Sequence, residues 1–542
     1  MTVQGISVDR RHFLAALSSG LALPRGARGA AADIGVFLNE GVGTISPFVH
    51  GHFIEHLGGV IYDGIWVGEN SKVTNTGGIR QAIVDAMKPL GSTVMRWPGG
   101  CFADSYDWRD GIGPAGQRPR KPNFWTDAGR LKDLPQSSPA KNDPNHFGTN
   151  EFMRFCRLIA AEPYFAANVR SLPAKDFYDW IDYCNAPAGS STLADRRAAA
   201  GDRDPYNVRF WGVGNESWGC GGEMTAGEYS VEFRKFTAWV PRYGKPVSFI
   251  PAGPNGGDLR WTREFFTRMA DKSPGMLNRM WGWALHYYCG TTGKGDSVNF
   301  TAEDAYELIS RADRMEELIR QHWQIMGETD REHRVKLVVD EWGAWHRDGT
   351  AVAPHHLFGS VQTMRDALVA GLTLDTFHRH ADKVAMANVA QLVNCIQTLF
   401  LAHEDKFCVT PTYHVFAMYR DHQNGKALRT QFSAPSIDYT YENKPRSMAR
   451  LAGSASLGDR KLILTAVNTS LTEALPCTVT LHGGSAKEAR ASVLAASDIH
   501  AHNSFAQPDA VKPGPLPVQS AATGLRLTLP PMSVAKVEAL LI

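Results

Sequence analysis

The chain has 542 residues, 43% of them hydrophobic and 21% charged, with a formal net charge of +2. That length allows a large core and two domains, and the composition is ordinary for a soluble globular protein. The near-neutral balance, with no block of Lys or Arg, excludes nucleic acid as a partner.

At the N-terminus, Asp9-Arg10-Arg11-His12-Phe13-Leu14 leads into a short apolar run to Leu23 and then Ala30-Ala31-Ala32. This reads as a twin-arginine signal peptide over residues 1–32, with Asp9 and Ala15 off the usual pattern, and it predicts a periplasmic or secreted protein. No later segment approaches about 18 uninterrupted apolar residues, so no membrane association is expected after signal removal. Residues 33–48 are expected to lend a strand, Ile34–Ile45, to the C-terminal domain.

From 49 to 422 short apolar runs alternate with helical patterns. Val49–Phe53, Thr93–Trp97, Tyr164–Ala167, Arg209–Gly214, Val247–Pro251, Trp283–His286, Val335–Asp340 and Lys383–Ala387 read as eight buried strands. Ala302–Met326, Leu357–Ala370 and Ala387–Ala402 read as long helices between or after them. Eight strands with intervening helices fit a TIM (β/α)8 barrel. The aperiodic stretch Asp110–Gly148 is expected to hang over the barrel mouth as a long loop. From 423 to 542 the alternation shortens to that of strands, as in Lys461–Val467 and Leu525–Leu529, predicting a C-terminal all-β sandwich. Eight scattered cysteines lack disulfide-scaffold or zinc spacing, so mostly free, buried thiols are expected, with Cys101 and Cys220 as exceptions to watch.

Two stretches carry chemistry. Trp211-Gly212-Val213-Gly214-Asn215-Glu216-Ser217-Trp218 and Leu337-Val338-Val339-Asp340-Glu341-Trp342 are apolar runs that each end in a glutamate. An ionised carboxylate at the end of a buried strand is costly unless paired or working. Two of them, on different strands, are the equipment of a double-carboxylate glycosidase. With no metal-ligand spacing and no nucleotide-binding motif, no metal and no cofactor are expected.

The run of motifs resembles the α-L-arabinofuranosidases of glycoside hydrolase family 51. The matching stretches are Gly51–Gly58 (GHFIEHLG), Arg96–Asp104 (RWPGGCFAD), Trp211–Gly222 (WGVGNESWGCGG), His286-Tyr287-Tyr288, Val339-Asp340-Glu341-Trp342 and Asn388–Asn394 (NVAQLVN). The resemblance implies that Glu216 is the acid/base on the fourth strand and Glu341 the nucleophile on the seventh. It implies Asn215 as ligand of the sugar 2-hydroxyl and Glu55, Cys101, Tyr288 and Gln391 as holders of the ring. His286 would orient the acid/base pair. Arg170 departs from the family, which often has Gly there. The implied activity is retaining, exo-acting removal of α-L-arabinofuranosyl residues from arabinan- or arabinoxylan-type plant polysaccharides or oligosaccharides. A homo-oligomer is implied as well.

Within the same chemistry, a β-xylosidase or an endo-glucanase is the nearest rival, separable by a screen of aryl glycosides. His50-Gly51-His52 mimics the paired-His motif of metal-dependent amidohydrolase barrels, but the fourth strand then offers Asn-Glu and the fifth Pro251. A non-catalytic glycan-binding protein would need neither glutamate.

Overall fold

The computed structural model describes residues 32–91, 93–289, 295–521 and 523–542. The twin-arginine pattern lies outside them. Eight parallel strands form one sheet: β1 Gly51–Phe53, β2 Thr93–Trp97, β3 Ala161–Ala167, β4 Phe210–Val213, β5 Ser248–Pro251, β6 Gly282–Cys289, β7 Lys336–Ala344 and β8 Val384–Ala390. Their order is β5-β4-β3-β2-β1-β8-β7-β6. The two edges meet where the Trp281 amide donates to the Phe249 carbonyl at 2.8 Å, so the sheet closes into a barrel.

Alternation along the strands explains the two layers of core. Val94, Tyr164, Phe210, Ile250, Ala284, Val338 and Met386, on seven different strands, fill the barrel. Their neighbours Trp97, Phe165, Trp211, Phe249, Trp283, Val339 and Val389 face the surrounding helices. Among the described residues no helix is long and apolar enough to cross a membrane.

Three expected helices differ. The stretch 302–326 is two helices, Ala302–Ala312 and Arg314–Gly327, divided at Asp313. The helix expected at Leu357 starts at Met364, where Thr363 and Asp366 form a capping box. The helix expected over 387–402 is the end of β8, a turn, and a hairpin of Phe400–His403 with Lys406–Val409. A continuous apolar run does not distinguish a buried helix from a buried strand. Asn394 settles this one: its amide donates to the Gly59 and Ala402 carbonyls and its oxygen accepts from the Ala402 amide.

The stretch 110–148 is a chain of 3-10 turns pinned by buried Leu131, Ala140 and Phe147. It reaches the barrel mouth, where Asn123 donates to the His56 carbonyl and Trp125 to Glu55. Beyond the barrel, ten strands pair in one continuous order. Strands near opposite ends of that order contribute to one apolar cluster, for example Val537 and Leu527, so the sheet folds over itself around its own core. The strand Ala32–Thr44 lies inside this sheet, antiparallel to Lys426–Ser433 and parallel to Leu475–His482.

Candidate active site

The site is assembled at the C-terminal ends of the barrel strands, where this fold carries its chemistry. At the end of β4 the backbone turns sharply: Gly214 has φ 82° and Glu216 φ 39°. This turn delivers Asn215 and Glu216 to the mouth before the chain enters the helix Ala226–Phe236, which a Thr225–Glu228 capping box starts.

β7 uses a different device. Strict alternation would send Asp340 inward, after Val338, and Glu341 outward. The register against β6 slips here, with Leu285 opposite Val339 and His286 opposite Glu341. The extra residue is a β-bulge, a feature that re-aims side chains beside functional sites. Both carboxylates therefore point into the barrel. Asp340 accepts from the Tyr164 hydroxyl at 2.8 Å, and Glu341 lies one step nearer the mouth.

Glu341 is buried and surrounded by donors. Its Oε1 accepts from Arg96 Nη1 at 2.7 Å and its Oε2 from the Tyr288 hydroxyl at 2.8 Å. His286 Nδ1 lies 2.9 Å from Glu216 Oε1 and 3.4 Å from Glu341 Oε2. One oxygen of each glutamate and that nitrogen all fall within 4.8 Å of one another. Burial pushes the Glu341 carboxyl up, but the charges of His286 and Arg96 and the hydrogen bonds outweigh it, so the pKa lies below the usual carboxylate value. For His286, burial disfavours the cation, while the charge of Glu341 and the bond to Glu216 overcome this and raise the pKa.

The other expected residues converge on the same place. Asn215 has its oxygen held by Arg96 Nη2 at 2.7 Å, and its amide nitrogen lies 3.8 Å from Cys220 Sγ, which leaves one amide hydrogen for a ligand. Glu55 accepts from the Phe102 amide at 2.9 Å and from Gln391 Nε2 at 3.2 Å, and burial raises its pKa to about 7. Gln391 Oε1 is buried and unpartnered, an acceptor free for a sugar hydroxyl. Gly100 allows this packing, since a Cβ there would lie 3.0 Å from Glu341 Oε1.

Cys101 and Cys220 are joined in a disulfide, and the remaining cysteines are free and buried. The bridge ties the loop after β2 to the loop after β4, and its sulfurs lie 4.0 and 3.6 Å from Glu216 Oε2. With no S–H, it presents an apolar wall rather than a donor. Arg170 spans the same loops, donating to the Asp104 and Cys220 carbonyls and to Ser105.

Three residues of the site were not singled out from sequence: Arg96, Asp104 and Asp340. Asp104 accepts from the Val169, Arg170 and Asn215 amides, fixing the loop that carries Glu216, and burial raises its pKa to about 7. Arg96 had a readable signal, because an arginine inside the strand Thr93–Trp97 must be paired once buried. By contrast, His50 and His52 form no paired site at the mouth. His50 contacts His378 at 3.1 Å, and His52 packs against Phe416.

Family models match over two stretches: the α-L-arabinofuranosidase 1 domain over residues 86–272 and the α-L-arabinofuranosidase C-terminal domain over 340–533. An intracellular exo-α-L-arabinofuranosidase of Bacteroides ovatus is 35% identical over 94% of this chain and 95% of its own. An intracellular exo-α-(1→5)-L-arabinofuranosidase of Streptomyces lividans is 29% identical over 91% of this chain and 73% of its own. Among solved structures, the family 51 arabinofuranosidase of Xanthomonas axonopodis pv. citri superposes with a TM-score of 0.86 at 33% identity, covering 94% of this chain and all of that one. The Thermotoga maritima α-L-arabinofuranosidase in complex with arabinose gives 0.80 at 28%, covering 94% and 99%. These relatives correct one expectation. The Bacteroides and Streptomyces enzymes are named intracellular, so the periplasmic or secreted location read from Arg10-Arg11 is withdrawn. A pair of arginines before a short apolar run is a weak signal, and here Asp9 and Ala15 already departed from its pattern. In sequence and fold, the chain belongs to the α-L-arabinofuranosidases of glycoside hydrolase family 51.

Proposed function

We propose that the chain is a retaining, exo-acting α-L-arabinofuranosidase in which Glu341 is the nucleophile and Glu216 the acid/base. One observation carries the assignment: the two carboxylates share His286 across a gap of at most 4.8 Å, but only Glu341 is held ionised by Arg96. A separation that short leaves no room for the water of an inverting reaction, which needs about 6.5–9.5 Å. Glu341 attacks the anomeric carbon as Glu216 protonates the leaving oxygen. Glu216 then takes a proton from the water that releases arabinose. Asn215 donates to the sugar 2-hydroxyl, while Glu55, Gln391, Tyr288 and the Cys101 wall hold the ring.

The substrate is a terminal α-L-arabinofuranosyl residue on a plant polysaccharide such as arabinan or arabinoxylan, or on an oligosaccharide, and the working form is a homo-oligomer. The division into a catalytic barrel over 49–422 and a sandwich over 423–542 joined by residues 33–48 belongs to the same proposal.

A screen of aryl glycosides tests the specificity: turnover of the α-L-arabinofuranoside should far exceed that of the β-D-xyloside and β-D-glucoside. NMR of early product tests the stereochemistry. The α-anomer should form first and methanol should be incorporated as the methyl α-furanoside; first appearance of the β-anomer overturns the double displacement.

A further inference from the structure

A second cluster of ligand-type side chains lies at the same face of the barrel, outside the catalytic set. Asp63 follows β1, His355 and His356 follow β7, and His403 ends the short strand after β8. One atom from each lies within 4.8 Å of the others. β7, β8 and β1 are neighbours in the barrel, so three adjacent loops converge on one point.

The geometry is that of a coordination shell. Asp63 Oδ2 lies 2.7 Å from His403 Nδ1, 3.2 Å from His355 Nε2 and 3.7 Å from His356 Nε2. The other oxygen accepts from the Glu404 amide at 2.7 Å, with Arg80 Nη2 3.7 Å away. The carboxylate is thus fixed with one oxygen turned towards three imidazoles, and a bound outer oxygen is the usual support for a ligating carboxylate. A tetrahedral Zn2+ with bonds of about 2.0–2.2 Å has ligand–ligand edges of roughly 3.3–3.6 Å. The three measured edges bracket that value.

Hydrogen bonding alone accounts for the cluster poorly. Three ring nitrogens face one oxygen, and His356, only 1% exposed, is too far from it to bond. His356 Nδ1 has no partner, and the Asn394 amide, 3.5 Å from its Nε2, has both hydrogens on the Gly59 and Ala402 carbonyls. Neither ring nitrogen of His356 therefore has an ordinary hydrogen-bond partner. A cation at the centre of the cluster would use the lone pair that a buried, unbonded imidazole leaves idle.

We propose that Asp63, His355, His356 and His403 bind a divalent transition-metal ion, Zn2+ by preference. Three imidazoles and one carboxylate suit Zn2+ rather than Ca2+ or Mg2+, which take oxygen ligands. Four protein ligands fill a tetrahedron, so the site is structural, with no coordination position left for catalysis. Its work is to clip the loops that carry the sugar pocket. Gly58, three residues after Glu55, packs so closely on the 355–357 backbone that a Cβ there would lie 2.6 Å from Leu357 N. Phe358 meets Trp125 edge-on at 5.7 Å, and Trp125 donates to Glu55.

The test uses untagged, full-length protein stripped with chelator and then titrated with Zn2+ or Co2+. One equivalent should bind more tightly than about 1 μM, Co2+ should give the intense visible bands of a four-coordinate ion, and the unfolding midpoint should climb with free Zn2+. Asp63→Ala and His403→Ala should lose the bound equivalent, and His355→Ala should weaken it at least tenfold. All three positions are about a quarter exposed, and circular dichroism reports whether each variant folds. Glu341→Ala, which removes a ligand-type group from the catalytic cluster, should keep the equivalent. No binding at that strength, binding unchanged in the three cluster variants, or loss confined to Glu341→Ala each overturns the proposal.

Discussion

Two buried carboxylates in this molecule are stabilised in opposite ways. Glu341, at the barrel mouth, faces the cations Arg96 and His286, and its pKa lies below the ordinary value. Asp375, on the helix Met364–Arg379 between barrel and C-terminal sheet, accepts from the hydroxyls of Ser454 (2.7 Å), Thr465 (2.6 Å) and Tyr419 (2.9 Å). Burial outweighs those neutral donors and the more distant charge of Arg379, and raises its pKa to about 6. Both groups are satisfied, but only the one hydrogen-bonded directly to a guanidinium titrates below the ordinary carboxylate range. Hydrogen-bond count therefore does not separate a nucleophile from a structural acid; the charge of the donors does.

Removing the anion itself should have the largest effect. Glu341→Ala should lower kcat by on the order of 10⁴-fold or more on every substrate. Glu216→Ala should cripple substrates with poor leaving groups and spare activated aryl glycosides, because only the former need protonation. Equal losses across leaving groups would reverse or void the assignment of roles.

Arg96→Met tests what keeps Glu341 charged. Breaking a buried ion pair costs about 3–5 kcal/mol of stability, to be read by urea unfolding. The acid limb of kcat/KM should also move. Glu341 now loses its charge only as pH falls through a depressed pKa, so without Arg96 the limb must shift to higher pH. An unmoved limb would mean that His286 alone holds the anion.

Asn215→Ala should lower kcat/KM by about 2–4 kcal/mol, mainly in kcat, since the bond to the 2-hydroxyl tightens as charge develops at the anomeric carbon. A change confined to KM would make Asn215 a ground-state ligand.

Asp375→Asn should have the smallest effect, with the opposite pH signature. A carboxyl raised from 3.8 to about 6 contributes stability in full below its unfolded pKa and loses it as pH rises through the folded one. Relative to wild type, the variant should gain about 2–3 kcal/mol between pH 4 and pH 7. His378, His422 and Arg379 are unchanged in both proteins, so the difference isolates Asp375. A pH-independent difference would show that Asp375 is ionised in the fold.

The eight barrel strands and both glutamates were legible because each strand is a short apolar run and each glutamate interrupts one. The paired and buried Arg96 was legible in principle, since Met95-Arg96-Trp97 puts a charge where none is tolerated alone. Asp375 was not, because a helix that is buried on every side has no polar face against which one more acid stands out. The same holds for the cluster of Asp63, His355, His356 and His403, whose members share no spacing motif and meet only when three loops close. The stretch 387–402 failed for a different reason: its apolar residues are buried whichever element they form.

The strand Ala32–Thr44 sits between two neighbours drawn from beyond residue 425. On the ribosome it therefore emerges long before either partner exists. At about 5–20 residues per second, the wait until Lys426 appears is on the order of 20–80 s. Throughout that time an amphipathic ribbon with both backbone edges unpaired trails from the front of the nascent chain while the barrel forms behind it. Such a ribbon is a template for pairing with another chain until its own partners arrive. The C-terminal sheet thus closes around a strand synthesised before the whole barrel.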